Sequence, residues 1–175
     1  MSALAASDGG MNAGMDRGAG FVHHASAVVI GGRALLIAGP PGSGKSSLAL
    51  ALIDRGAGLI GDDAVTLTLA DDRLIASPPP NIAGLMELRG VGLLRLPVAD
   101  PAPVALILEL GGTAQHARLP ETLPRRDIAG VQVPVLAFDP GTIAPGPRAE
   151  WALQMHGLVF KPASLCRASG QDAQT

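Results

Sequence analysis

A glycine-rich loop that ends in lysine and serine carries the clearest chemistry in this sequence. It fits the pattern G-x-x-x-x-G-K-[ST] at every fixed position and consists of Gly39, Pro40, Pro41, Gly42, Ser43, Gly44, Lys45 and Ser46, followed by Ser47. Glycines let such a backbone curl so that successive N–H groups point at phosphate oxygens. The lysine then contacts the terminal phosphates, and the serine hydroxyl binds Mg²⁺. The alternative is a glycine-rich turn without function. An apolar strand before the loop and a helix after it favour a phosphate site, but the loop alone does not define the reaction.

Two adjacent aspartates follow the next apolar segment. A strand that follows the helix can run beside the strand before the loop, which would place Asp62 and Asp63 near the terminal phosphate. A carboxylate at that place can hold Mg²⁺ through water or accept the proton of an attacking hydroxyl. The alternative is a solvated turn, which is our interpretation of the pair Asp71 and Asp72.

Two further groups of residues are candidates for the same site. Glu87 and Arg89 lie in an apolar segment, where charges cost free energy unless they are paired or bound to a ligand. Glu87 could complete a Mg²⁺ shell and Arg89 could hold a phosphate, or the two could form a structural ion pair. His23 and His24 precede the first strand, and the residues alone indicate a surface position without zinc-type spacing.

The elements that must position these residues indicate an α/β fold. Strands outnumber helices, so the sheet is predicted to be mixed rather than purely parallel. Gly31 and Gly32 predict a hairpin turn, and Gly56 is placed to end the first helix. The predicted strands cover residues 27–30, 34–38, 59–60, 65–69, 74–76, 103–110 and 131–138. One predicted helix starts at Ser46, and a second lies within residues 146–159.

Three segments of the chain lack this regular pattern. We predict flexible tails at residues 1–20 and 164–175 around one domain at residues 21–163. A polar segment at residues 111–126, which holds Arg118, is predicted to be a mobile loop.

Composition excludes several classes of protein. Of the 175 residues, 47% are hydrophobic and 16% are charged, which is typical of a packed globular domain. The net charge of -2 gives no electrostatic reason to expect nucleic-acid binding. No apolar run reaches the roughly 18 residues that cross a membrane. Cys166 is the single cysteine, which fits a reducing cytoplasm, and the sequence therefore predicts a cytoplasmic protein.

The motifs in this order resemble the catalytic domain of the HPr kinase/phosphorylase family. These bacterial enzymes phosphorylate a serine of the phosphocarrier protein HPr with ATP and Mg²⁺ and can reverse the modification. The family pattern is a histidine before an apolar hairpin, the loop, the aspartate pair, and E-[IL]-R-G-x-G. Here these are His24, Gly39 to Ser46, Asp62-Asp63, and Glu87 to Gly92. The resemblance covers residues 21–142 and implies a P-loop fold related to phosphoenolpyruvate carboxykinase, an HPr-like partner and a homo-oligomer, commonly a hexamer.

The resemblance also implies roles for single residues. Asp63 would be the proton acceptor of the target serine, and Glu87 would join Ser46 at Mg²⁺. His24 and Lys45 would act at the phosphates, and Arg118, in "ARLPE", resembles the catalytic arginine of the family.

The chain departs from the family pattern in two places, and two other functions remain possible from the sequence. Only a short tail precedes His24, so the resemblance is to a form that lacks the family's separate N-terminal domain. Where the family has R-P-G-R-N, this chain has D-P-G-T-I at residues 139–143, which argues against the reverse, phosphorylase reaction. The alternatives are a nucleotide-binding module without catalysis and a small-molecule kinase with the segment 111–126 as its lid.

Overall fold

The computed structural model describes residues 20–111, 121–141 and 143–160. The predicted tails, apart from Gly20, and the candidate Arg118 lie outside these ranges. No helix in the described ranges is long and apolar enough to span a membrane.

The described chain forms eleven strands and two helices, which confirms the predicted excess of strands. In chain order they are β1 (Phe21–His23), β2 (Ser26–Ile30), β3 (Arg33–Ala38), α1 (Lys45–Ile53), β4 (Gly58–Gly61), β5 (Val65–Ala70), β6 (Arg73–Ser77), β7 (Leu85–Leu88), β8 (Gly92–Arg95), β9 (Ala102–Glu109), β10 (Arg125–Ile128), β11 (Val131–Ala137) and α2 (Pro145–His156).

Nine of the strands form one curled, mixed sheet with the order β1-β5-β6-β9-β3-β2-β4. The sheet branches at β9, which pairs with β6, β3 and β11, and β11 in turn pairs with β10. Strands β7 and β8 form a separate two-stranded sheet. The prediction of a mixed α/β fold is therefore confirmed.

Strand β3 is buried on both faces, which explains its unbroken apolar sequence. Leu35 and Ile37 pack in a core cluster that includes residues of α1 and α2, whereas Leu36 packs in a second cluster on the other face. Arg55, two residues after the end of α1, forms a bidentate ion pair with Glu150 of α2, with N···O distances of 2.9 and 2.8 Å. The strand that leads into the glycine-rich loop is thus packed against buried apolar side chains on both faces.

Two predictions about the strands were wrong. Strand β4 does not lie beside β3, because β2 is inserted between them and is antiparallel to both. β3 and β4 still run in the same direction, so their ends meet the same edge of the sheet. The C-terminal boundary of the mobile loop predicted at 111–126 was also wrong, because Arg125 and Arg126 already lie in strand β10. A left-handed turn at Ala129 and Gly130, with φ of 53° and 84°, joins β10 to β11 as a hairpin.

Replacing Leu36 with alanine tests the burial of β3. Because Leu36 is fully buried, we expect Leu36→Ala to lower the free energy of unfolding by about 2–5 kcal/mol, measured by urea denaturation. The matched control is Leu93→Ala, at a side chain that is 67% exposed, with an expected change within about 0.5 kcal/mol. Equal losses in the two variants would contradict this packing.

His23 should make the stability of the fold dependent on pH. Burial lowers the pKa of His23 below its ordinary value of 6.5, and the nearby charges of Arg126 and His24 lower this pKa further. An unfolded histidine binds a proton near pH 6.5 while the folded one does not, so stability is full above that pH and falls as the pH decreases below it. We expect His23→Gln to reduce this loss in urea unfolding between about pH 7.5 and about pH 5.5. An unchanged pH dependence in the variant would show that His23 does not contribute.

Candidate functional site

The glycine-rich loop connects β3 to α1 in a tight path. Gly39, Gly42 and Gly44 have φ of 148°, 80° and 95°, in the region that favours glycine. A Cβ on Gly39 would lie 2.7 Å from the carbonyl oxygen of Leu110 and 2.8 Å from Ser43 Oγ. The first glycine is therefore required for close packing of the loop against the end of β9.

The start of α1 offers donors to an anion. Gly44 at the N-terminus of the helix provides no side-chain cap, so the N–H groups of the first turn are not satisfied by a capping side chain. Lys45 Nζ donates to the carbonyl oxygens of Gly39 and Pro40, each at 3.2 Å. The ammonium group thus lies along the loop, where phosphate oxygens can replace these carbonyl acceptors.

Asp62 is buried behind the loop, which excludes the solvated turn as an interpretation of this residue. Its side chain is only 4% exposed, and Oδ1 accepts hydrogen bonds from Ser26 Oγ at 2.6 Å and Ser46 Oγ at 2.9 Å. Its other oxygen, Oδ2, is buried and has no hydrogen-bond partner among the described residues. Asp62 therefore connects strand β4 with the first turn of α1.

Asp63 differs from its neighbour in both exposure and backbone. It is exposed and has φ of 61°, a left-handed conformation that turns the chain directly after β4. The side chain lines the same cavity as Lys45 and Ser46. The structure thus brings Asp63 together with the loop, as the sequence predicted.

The cavity has a volume of about 500 Å³ and lies between the loop, α1 and the β7–β8 hairpin. Among the predicted loop residues, its lining includes Pro41, Gly42, Gly44, Lys45, Ser46 and Ser47. Gly39, Pro40 and Ser43 belong to the loop but do not line the cavity.

The β7–β8 hairpin forms the opposite wall and contributes Glu87 and Arg89. Both side chains are exposed, and no ion pair joins them, so the alternative of a structural Glu–Arg pair is wrong. A Cβ on Gly42 would lie 3.6 Å from both terminal nitrogens of Arg89, which places this guanidinium against the loop. The hairpin was missed because its apolar sequence suggested that both charges were buried.

His24 lies near the site but does not line the cavity. It is exposed and follows His23, whose partner in the sheet is Val65, two residues after Asp63. Ser26 was not predicted as a site residue, since a serine at the start of an apolar strand has no recognisable signature.

The polar groups at this edge fit a magnesium ion that is bound together with a nucleotide. Mg²⁺ usually keeps several waters and takes one or two carboxylates plus phosphate oxygens from its surroundings. The described residues that line the cavity provide the Ser46 hydroxyl and the exposed carboxylate of Glu87. Asp62 does not line the cavity and contacts it through its hydrogen bond to Ser46. Within the described ranges no group of three or more His, Cys, Asp or Glu side chains could hold a metal by itself. The donor set fits a metal that depends on the phosphates for part of its coordination.

Curated proteins and a solved structure are similar to this chain. An HPr kinase/phosphorylase of Chlorobium limicola is 30% identical over 150 residues, which are 79% of this chain and 44% of that protein. The homologue of Ralstonia nicotianae is 36% identical over 112 residues, which are 58% of this chain and 35% of that protein. The chain spans less than half the length of the curated relatives it matches.

The structure of the Hpr(Ser) kinase/phosphatase from Coxiella burnetii matches with a TM-score of 0.67 at 30% identity, covering 78% of this chain and 95% of that one. The family described as HPr Serine kinase C-terminal domain matches residues 19–139, which include the loop, both aspartates and the hairpin. The chain therefore belongs to the HPr serine kinase family, through the family's C-terminal domain.

Proposed function

We propose that this chain transfers the γ-phosphoryl group of ATP to a seryl hydroxyl of an HPr-like phosphocarrier protein. The observation that carries the proposal is the position of Asp63, an exposed carboxylate in the same cavity as Lys45 and Ser46. Family membership supports the same reaction. A bound Mg²⁺ would supply charge neutralisation at the phosphates, as in other phosphoryl transfers.

The loop and the residues around it hold the nucleotide. The N–H groups of the loop and of the first turn of α1 bind phosphate oxygens, and Lys45 binds the terminal phosphates. Ser46 and Glu87 would hold the metal, and Asp62 would hold it through water. Arg89, which lies against the loop, contacts the transferred phosphoryl group, and the family resemblance assigns similar contacts to His24 and Arg118.

Asp63 acts as the base. It accepts the proton of the serine hydroxyl while the bond from that oxygen to the γ-phosphorus forms and the bond from this phosphorus to the bridging oxygen of ADP breaks. The products are phosphoserine, ADP and a protonated Asp63, which returns its proton to water. We propose that this chain works in the kinase direction, because residues 139–143 lack the arginines that the family uses for the reverse reaction.

An apolar rim beside the cavity favours a protein acceptor over a small molecule. The rim consists of Val91, which is 74% exposed and lines the cavity, and Leu93, which is 67% exposed on β8. Exposed apolar side chains of this kind mark sites of protein contact. A protein whose serine reaches Asp63 would cover both side chains.

Two expectations, on location and on oligomeric state, accompany the proposal. HPr-like partners imply a cytoplasmic location, and the family resemblance implies a homo-oligomer such as a hexamer. Neither is needed for the chemistry described above.

Radiolabelled ATP with purified HPr tests the function and separates the alternatives. Label on wild-type HPr but not on an HPr Ser→Ala variant is the expected result. ATP binding without label on either form would indicate a nucleotide-binding module without catalysis. ATP turnover that needs a small hydroxyl compound instead of HPr would indicate a small-molecule kinase.

Replacing Asp63 with asparagine tests the base. We expect Asp63→Asn to bind ATP with nearly unchanged affinity, because the loop is intact, and to lose phosphotransfer by about 10²–10⁴-fold. The readouts are calorimetric ATP titration and the initial rate of HPr labelling. Asp71→Asn, at an exposed turn, is the control and should transfer at the wild-type rate. Wild-type turnover by Asp63→Asn would remove this residue as the base.

Polar substitutions in the apolar rim test the protein acceptor. We expect Val91→Ser and Leu93→Ser to raise the KM for HPr by about tenfold each, because an apolar contact is lost. Leu93 does not line the cavity, so Leu93→Ser should leave ATP affinity unchanged. Met155→Ser is the control, since Met155 is 71% exposed on α2, away from the cavity. An unchanged KM in both rim variants would show that the acceptor does not contact the rim.

A further inference from the structure

Ser26 is a fully buried polar residue that is hydrogen-bonded to Asp62. Ser26 lies on β2 opposite Ile37 of β3 and is fully buried, with 0% exposure. Its Oγ donates to Asp62 Oδ1 at 2.6 Å. Since burying a hydroxyl costs free energy unless it is bonded, and an alanine would fit this strand without that cost, the polar group is explained by its bond to the carboxylate.

Asp62 links Ser26 to Ser46 by hydrogen bonds. Oδ1 accepts two hydroxyl protons, one from Ser26 and one from Ser46, the latter at 2.9 Å. A serine hydroxyl has one proton and two lone pairs. Because Ser46 uses its proton on Asp62, its lone pairs remain for a ligand in the cavity, which Ser46 lines.

Ser26 also holds the orientation of the whole carboxylate. With Oδ1 fixed by two donors, the plane of the group is set, and the position of the buried, unpaired Oδ2 follows from it. Residues behind the ligands of a metal have this effect generally, and their replacement weakens metal binding about 10- to 100-fold.

We propose that Ser26 is a positioning residue for the metal, which acts through Asp62 and orients Ser46 toward the metal–nucleotide complex. Ser26 does not line the cavity, so it touches neither nucleotide nor acceptor. This inference rests on the proposed function, because it assumes that the nucleotide binds together with Mg²⁺.

The test compares nucleotide affinity with and without Mg²⁺, which does not depend on catalysis. The probe is a fluorescent, non-hydrolysable ATP analogue, titrated once with Mg²⁺ and once with a chelator. The gain in affinity that Mg²⁺ produces should be about 10- to 100-fold smaller in Ser26→Ala than in the wild-type protein. The affinity measured in the chelator should be the same in both proteins. Ser26→Thr, which keeps the hydroxyl, should restore the effect of Mg²⁺.

Two further variants complete the experiment. Ser26→Cys fills nearly the same space with a weak donor and should behave like Ser26→Ala. Ser77→Ala is the matched control, since Ser77 Oγ is partly buried and donates at 3.4 Å to the carbonyl oxygen of Thr66 in the sheet. Thermal unfolding is measured for every variant.

The outcomes separate this inference from the proposed function. No gain in affinity from Mg²⁺ in the wild-type protein would contradict the proposed function itself. A normal gain in the wild-type protein and in a folded Ser26→Ala would overturn only the role of Ser26. An equal loss with and without Mg²⁺, or failure of both Ser26→Ala and Ser26→Cys to fold, would also overturn it, because Ser26 would then serve the fold alone.

Discussion

The burial of one carboxylate, that of Asp62, is the constraint on which the site depends. A charged group that is 4% exposed is tolerated only with hydrogen bonds to its oxygens, and here two hydroxyls provide them. One hydroxyl comes from β2 and the other from the first turn of α1. These two hydrogen bonds therefore tie the sheet to the helix at the place where the loop turns, and the second oxygen of Asp62 stays buried without a partner among the described residues.

The geometry of the sheet explains how two neighbouring aspartates obtain different environments. β3 and β4 are separated by β2, so their ends lie roughly 10 Å apart, at about 4.8 Å for each pair of strands. Ser46, on the helix above the sheet, bridges this gap to Asp62. The left-handed backbone at Asp63 then turns the chain and leaves its carboxylate exposed in the cavity. One aspartate is held within the scaffold by two hydroxyls, while the next presents its carboxylate to the cavity.

The sequence predicted the parts of this arrangement that have a local pattern. The loop, the strands around it and the turns at Gly31-Gly32 and Asp71-Asp72 follow from glycine, apolar runs and their spacing. Three features had no such signal. The first is the strand pairing that inserts β2 between β3 and β4. The second is the β7–β8 hairpin, which keeps Glu87 exposed within an apolar segment. The third is Ser26, which is linked to the site only by its hydrogen bond to Asp62, a residue distant in the sequence. Each depends on contacts that form only when the chain folds.

A crystal structure of the chain with Mg²⁺ and a non-hydrolysable ATP analogue tests the central claim most directly. We expect the terminal phosphate in the cavity, with Lys45 Nζ within about 3 Å of a phosphate oxygen and Ser46 Oγ about 2.1 Å from the metal. Asp63 should then be the carboxylate that faces the terminal phosphorus from the side open to an acceptor. A nucleotide bound outside the loop, or an Asp63 side chain turned away from the phosphate, would contradict it.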